Sequence, residues 1–242
     1  MSVILHGGGP GAAQDAAIAR LVAEARARSG GAPRLALVLC AEGGALAPYQ
    51  AGWEASLREA GAGDIDAVLV PLGEDGAPER EVDLAELSRA DGVVVGGGLT
   101  PAYLAALHPL STDLRRMVAE GVPYLGSSAG AMIAAASALV GGWRIGGVPV
   151  IREMWSEDLD EVELREGLGL IDVTIDVHAA EQGLLVRAIA AVEAGMAEAI
   201  LAIDEDAALV VGEGALEILG PGSVWRVLAA EDGASVRSDR AG

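Results

Sequence analysis

An α/β fold, a mostly parallel sheet with helices on both faces, is predicted by three features of the sequence. Short apolar runs alternate with helix-like stretches over residues 2–136. The runs are continuously apolar, the pattern of strands covered on both faces. Strand–helix alternation of this kind builds parallel sheets. Beyond residue 198 the apolar runs are instead separated by turn glycines, which predicts antiparallel hairpins at the sheet edge.

The elements follow in order. "SVILH" (2–6) is a first strand, and "GGGPG" turns the chain. Residues 12–29 are rich in Ala and Arg at helical spacing. "RLALVLC" (34–40) is the second strand. Residues 46–60 hold Trp53 and Leu57 four apart, on one face of an amphipathic helix. "DAVLVPL" (66–72), "GVVVGGG" (92–98) and "VPYLG" (122–126) are the third to fifth strands. From 140 to 167 the chain is Gly-rich and then acidic, and reads as an insertion over one edge, expected to lie over the site and shape its pocket. "IDVTIDVH" (171–178) returns to strand character, and a helix covers 181–195. "AILAIDE", "AALVVGE", "ALEILG" and "SVWRVLA" are the hairpin strands. No internal repeat and no linker divides the chain. Residues 1–230 are therefore read as one catalytic α/β domain and the polar residues 231–242 as a flexible tail.

Composition narrows the function classes. Of 242 residues 52% are hydrophobic, enough for a large core, yet 3% are aromatic and Phe is absent. The core must come from Val, Leu, Ile and Ala. Lysine is absent and the formal net charge is −20. A field of that sign repels phosphate backbones, so nucleic acid is excluded as a general partner. Cys40 is the single cysteine, so no intrachain disulfide forms. No run reaches the roughly 18 apolar residues of a membrane span. The first residues lack the basic n-region and long h-region of a signal peptide. The expectation is a cytoplasmic enzyme with no membrane partner.

Two serines stand between glycines in "YLGSSAGAMI" (124–133), at the end of the fifth strand. In a parallel sheet, sites lie beyond the carboxyl ends of the strands. Residues 126–130 spell G-x-S-x-G, the nucleophile elbow, with Ser128 at its centre. Small neighbours let the backbone approach adjoining strands. The N–H of Ala129 is the expected oxyanion donor, and the following helix N-terminus favours developing negative charge. Ser127 points elsewhere and is structural. A serine nucleophile needs a base, and the histidines are His6, His108 and His178. His108 lies on a polar helix surface. His6 ends the first strand and also faces the crevice. His178 ends a strand on the same rim as Ser128, after it in chain order, and is the favoured base. A carboxylate should orient the imidazole. Asp176, Asp204, Glu205 and Asp206 all qualify, and spacing does not choose among them.

These blocks, "VILHGGG", "ADGVVVGGG", "GSSAGAM", "GLGLIDVTIDVH" and "AILAIDEDAALVV", occur in an order that resembles the cyanophycinase and dipeptidase E family of serine peptidases. The resemblance spans residues 3–212 and is closer to the cyanophycinase branch. It implies a three-layer α/β/α sandwich like the class I glutamine amidotransferases, with serine in place of their cysteine. It implies Ser128 as nucleophile, His178 as base and Glu205 as third member. It puts Gly97 and Gly98 on the loop that supplies the second oxyanion donor. It also implies a small peptide or isopeptide amide as substrate, a homodimer, and no metal or cofactor. Leu99, Val177 and Leu184 stand where the family carries polar substrate contacts, so neither cyanophycin nor an N-terminal aspartate is implied. Leu99, Asp176, Val177, Trp143 and Trp155 are the expected substrate contacts, with Arg144 beside Trp143. Two rival readings are a non-catalytic member of the fold and a nucleotide or phosphate binder using "GGGPG". No full G-x-G-x-x-G occurs there, and a chain without lysine has no P-loop.

Overall fold

The computed structural model describes residues 2–241. The chain runs β1 (Val3–His6), α1 (Ala12–Ser29), β2 (Leu35–Glu42), α2 (Gly43–Glu59), β3 (Ile65–Leu72), α3 (Leu84–Leu87), β4 (Gly92–Val95), α4 (Thr100–Leu107), α5 (Ser111–Ala119), β5 (Tyr124–Ser127) and α6 (Ala129–Met132). It continues with β6 (Ser137–Gly141), β7 (Arg144–Ile145), β8 (Val148–Pro149), β9 (Glu163–Glu166), β10 (Thr174–Asp176) and α7 (Leu185–Glu193). The last strands are β11 (Ala199–Ile203), β12 (Ala208–Val211), β13 (Glu217–Leu219), β14 (Ser223–Ala230) and β15 (Gly233–Arg240).

The main sheet has the order β13-β12-β1-β5-β4-β2-β3. Strands β1, β5, β4, β2 and β3 are parallel, while β12 and β13 attach antiparallel at the β1 side. Side chains alternate across this sheet, and both faces are apolar. Ile4, Leu37 and Val94 pack under α1 and α2 with Leu21, Trp53 and Leu57. Val3, Leu5, Val38 and Val95 pack on the other face with Leu87, Tyr103, Leu107 and Leu114. Two covered faces are the reason the strand sequences are continuous apolar runs.

The C-terminal part differs from the expected single hairpin edge. Only β12 and β13 extend the main sheet. Strands β10, β11, β14 and β15 form a second sheet, parallel between β10 and β11 and antiparallel beyond. The segment 231–242, expected as a tail, holds β15, whose eight residues pair with β14 from Ser223↔Arg240 to Ala230↔Gly233. Its polar residues resemble those of a tail because an exposed edge strand needs few apolar side chains. The 140–167 insertion has its own order, with β6 paired to β9 and β7 paired to β8. No helix among the described residues is long and apolar enough to cross a membrane.

Candidate active site

Strand β5 ends in Ser127, and Ser128 makes the turn into α6 with φ 52 and ψ −114. A non-glycine residue at positive φ stores strain of about 1–3 kcal/mol and persists only where its surroundings enforce it. They do so here. A Cβ on Gly126 would lie 2.2 Å from the Gly130 carbonyl oxygen, and one on Gly130 would lie 2.4 Å from that of Val95. The Ser128 N–H donates to the His6 carbonyl (3.0 Å) and the Gly130 N–H to the Gly96 carbonyl (3.1 Å). The elbow is thus pinned to the ends of β1 and β4. The helix after it is one turn of four residues. Its field is correspondingly small, and local N–H groups rather than a long dipole face the site.

His178 follows β10 and also has positive φ (50). Its N–H donates to the Gly7 carbonyl (3.1 Å), which sets the ring above the β1 turn. Ser128 Oγ and His178 Nε2 lie 2.8 Å apart. His178 Nδ1 lies 2.7 Å from Glu205 Oε1, in the turn between β11 and β12. The imidazole is 15% exposed and the carboxylate 30%. Hydroxyl, imidazole and carboxylate therefore form one chain of hydrogen bonds across three separate turns.

The other acids do not reach His178. Asp176 is fully buried and takes two bonds from Arg187, 2.6 Å from Nη2 and 3.0 Å from Nε. Asp204 accepts from the N–H groups of Ala180 and Ser223 and from the Trp225 indole. Asp206 is exposed. His6 pairs with Ser127, Nδ1 to Oγ at 3.0 Å, and not with Ser128. Burial lowers its pKa to about 4; the charge of His178 adds to this and the Glu205 main-chain carbonyl opposes it. His108 lies in the 3₁₀ turn His108–Leu110.

Of the three expected oxyanion groups, Gly97 is already engaged. Its N–H donates to the Tyr49 hydroxyl (2.7 Å), and its carbonyl accepts from Tyr49 and Tyr103, each at 3.0 Å. Its contribution is space: a Cβ there would come 2.8 Å from Ser128 Cβ. The N–H groups of Ala129 and Gly98 have no acceptor among the described residues.

A cavity of about 460 Å³ opens on Ser128 and His178. The expected substrate contacts do not line it. Asp176 and Val177 are buried. Leu99 lines a different cavity with Gly76 and Glu157. The Trp143 indole donates to Asp160 under the Arg144 guanidinium, and the Trp155 carbonyl faces Arg187. Leucine and tryptophan spacing carries no signal of which wall they face. The wall is α2 instead, through Pro48, Tyr49, Gly52, Trp53 and Ser56.

The "GGGPG" loop also serves this site. A Cβ on Gly8 would fall 2.2 Å from His178 Cε1, and one on Gly9 would fall 2.7 Å from Glu205 Oε2. The glycines let the loop lie directly on the imidazole–carboxylate pair. Their run after a strand was the visible signal, and a phosphate cradle was one reading of it. Tyr49 and Tyr103 gave no signal, because only the fold brings α2 and α4 to Gly97. No group of three or more His, Cys, Asp or Glu among the described residues is arranged to hold a metal.

Known proteins resemble this chain in sequence and fold. Residues 29–219 match the profile of peptidase family S51. A cyanophycinase of Synechococcus elongatus is 35% identical over 172 residues, 69% of this chain and 50% of that protein. A cyanophycinase of Thermosynechococcus vestitus (strain NIES-2133 / IAM M-273 / BP-1) matches with the same figures. The chain spans about half the length of these curated relatives. The crystal structure of a peptidase from an acI-B1 Actinobacterium superposes with a TM-score of 0.68 at 19% identity, covering 100% of this chain and 94% of that one. A peptidase E candidate from Listeria monocytogenes EGD-e gives 0.57 at 14% identity, covering 90% and 98%. At these identities the two structures speak for the fold, and the profile match over most of the sequence speaks for descent: the chain belongs to peptidase family S51.

Proposed function

We propose that the chain is a serine peptidase or amidohydrolase that cleaves a small peptide or isopeptide amide through an acyl-enzyme. The observation that carries this is the unbroken contact Ser128–His178–Glu205, at 2.8 and 2.7 Å, beside an open cavity. Ser128 Oγ attacks the amide carbonyl carbon while His178 Nε2 takes its proton. Glu205 holds the proton on Nδ1 and stabilises the imidazolium that forms. The N–H groups of Ala129 and Gly98 meet the tetrahedral oxyanion, a contribution of about 3–4 kcal/mol for one such donor in a known protease. The C–N bond breaks as His178 returns the proton to the leaving amine. Water then attacks the acyl-enzyme with His178 again as base, giving the carboxylic acid and free Ser128.

A fluorophosphonate probe tests this. The expected result is labelling at Ser128, absent in Ser128→Ala and at least about 10²-fold slower in His178→Ala. An unlabelled wild-type protein, or equal labelling of Ser128→Ala, overturns the reading.

A further inference from the structure

We propose that the cavity beside Ser128 selects an uncharged, apolar or aromatic acyl side chain, with α2 as the selectivity wall. This rests on the serine-peptidase reading above and adds the substrate class to it.

The composition of the cavity carries the inference. It is lined by glycine main chains, Gly9, Gly97 and Gly98, and by Pro48, Tyr49 and Trp53 of α2. None of its lining residues is Arg, Asp or Glu. Beyond the reacting pair, the polar side-chain groups are those of Gln14, Ser56 and Ser127, the Trp53 indole N–H and the Tyr49 hydroxyl, and that hydroxyl is committed to Gly97. Tyr49 therefore contributes ring rather than donor to the wall. A carboxylate entering here would lose hydration with no cationic side chain in the lining to replace it, and a guanidinium would find only Glu205 beside Gly9, already committed to His178. The net charge of −20 adds a repulsion against anions. An apolar side chain gains instead by leaving water. The volume, about 460 Å³, suits one small ligand.

Gly52 points the same way. It sits inside α2, where glycine is a poor helix former. No crowding demands it, since a Cβ there meets nothing within 4 Å. Glycine here leaves the wall bare and keeps the cavity wide between Tyr49 and Trp53.

The test measures kcat/KM on matched acyl p-nitroanilides carrying Leu, Phe, Asp or Arg side chains, with fluorophosphonate labelling of Ser128 run in parallel. The Leu and Phe members are expected to exceed the Asp and Arg members by about 100-fold or more. Gly52→Arg places a guanidinium on the wall and is expected to raise the Asp-to-Leu ratio at least about tenfold. Should that variant fail to fold, Ser56→Arg places the same charge one turn further along. Labelling of Ser128 together with preference for Asp or Arg, or with no cleavage of the Leu and Phe members, overturns the substrate class and leaves the serine-peptidase reading standing. Absence of labelling overturns both.

Discussion

Ser128 and His178 meet at 2.8 Å although both hold positive φ, 52 and 50. Such strain is held in place by neighbours that cannot yield, here Gly126, Gly130 and Gly8, each with no room for a Cβ. His6 shows what burial does at the same rim. Its imidazole is buried against Ser127 and its pKa falls from 6.5 to about 4. The folded chain thus refuses a proton that the unfolded chain accepts between those values. Stability from this residue is whole above pH 6.5 and drains away as pH falls towards 4. The full loss is about 3 kcal/mol. Urea unfolding of wild type and His6→Gln at pH 7.5 and 4.5 checks it. The advantage of wild type should shrink by about 2 kcal/mol at the lower pH, and parallel pH curves would contradict the assignment.

Among elements, β15 departs furthest from its sequence. Its burial is intermediate or exposed along its whole length, yet every residue is paired with β14. The backbone ladder and cross-strand pairs hold it, with Arg226 and Asp239 2.6 Å apart across the pair. Each cross-strand pair contributes roughly 0.2–1 kcal/mol. Deleting residues 233–242 should therefore lower unfolding stability by about 2 kcal/mol or more in urea melts. A tail without partners predicts no change. Helix α6 is the expected helix after Ser128 and is four residues long. Its four residues are all buried.

At the scale of the whole molecule, one buried cation joins segments far apart in sequence. Arg187 of α7 is fully buried, binds Asp176 of β10, and reaches the Gly142 and Trp155 carbonyls of the insertion. Close by, Glu157 of the insertion accepts from the Thr100 N–H at the start of α4, two residues after Gly98. Burial raises the pKa of that carboxyl, and its bond to Thr100 opposes the rise. The insertion, the second sheet and the loop before α4 are thereby fastened together. Removing the cation strands a buried carboxylate. Arg187→Leu should cost about 3–5 kcal/mol of unfolding free energy, and adding Asp176→Leu should recover part of it. A single-variant loss below about 1 kcal/mol would show that the pair does not fasten these segments.

The sequence by itself determined the parallel core of the fold, because two-sided burial forces continuous apolar strands and these stand out in a Phe-free chain. It also singled out Ser128, since an elbow between strand and helix needs its flanking glycines within five residues. The four acids near His178 were indistinguishable by spacing, and family resemblance favoured Glu205. Tertiary structure alone decided that Asp176 faces Arg187, that Gly97 is held by two tyrosines, and that α2 rather than the insertion walls the cavity. The physical reason is range. Turn geometry and periodicity are set by neighbours a few residues away, whereas the partner of a charge or an N–H is chosen by packing between elements remote in the chain.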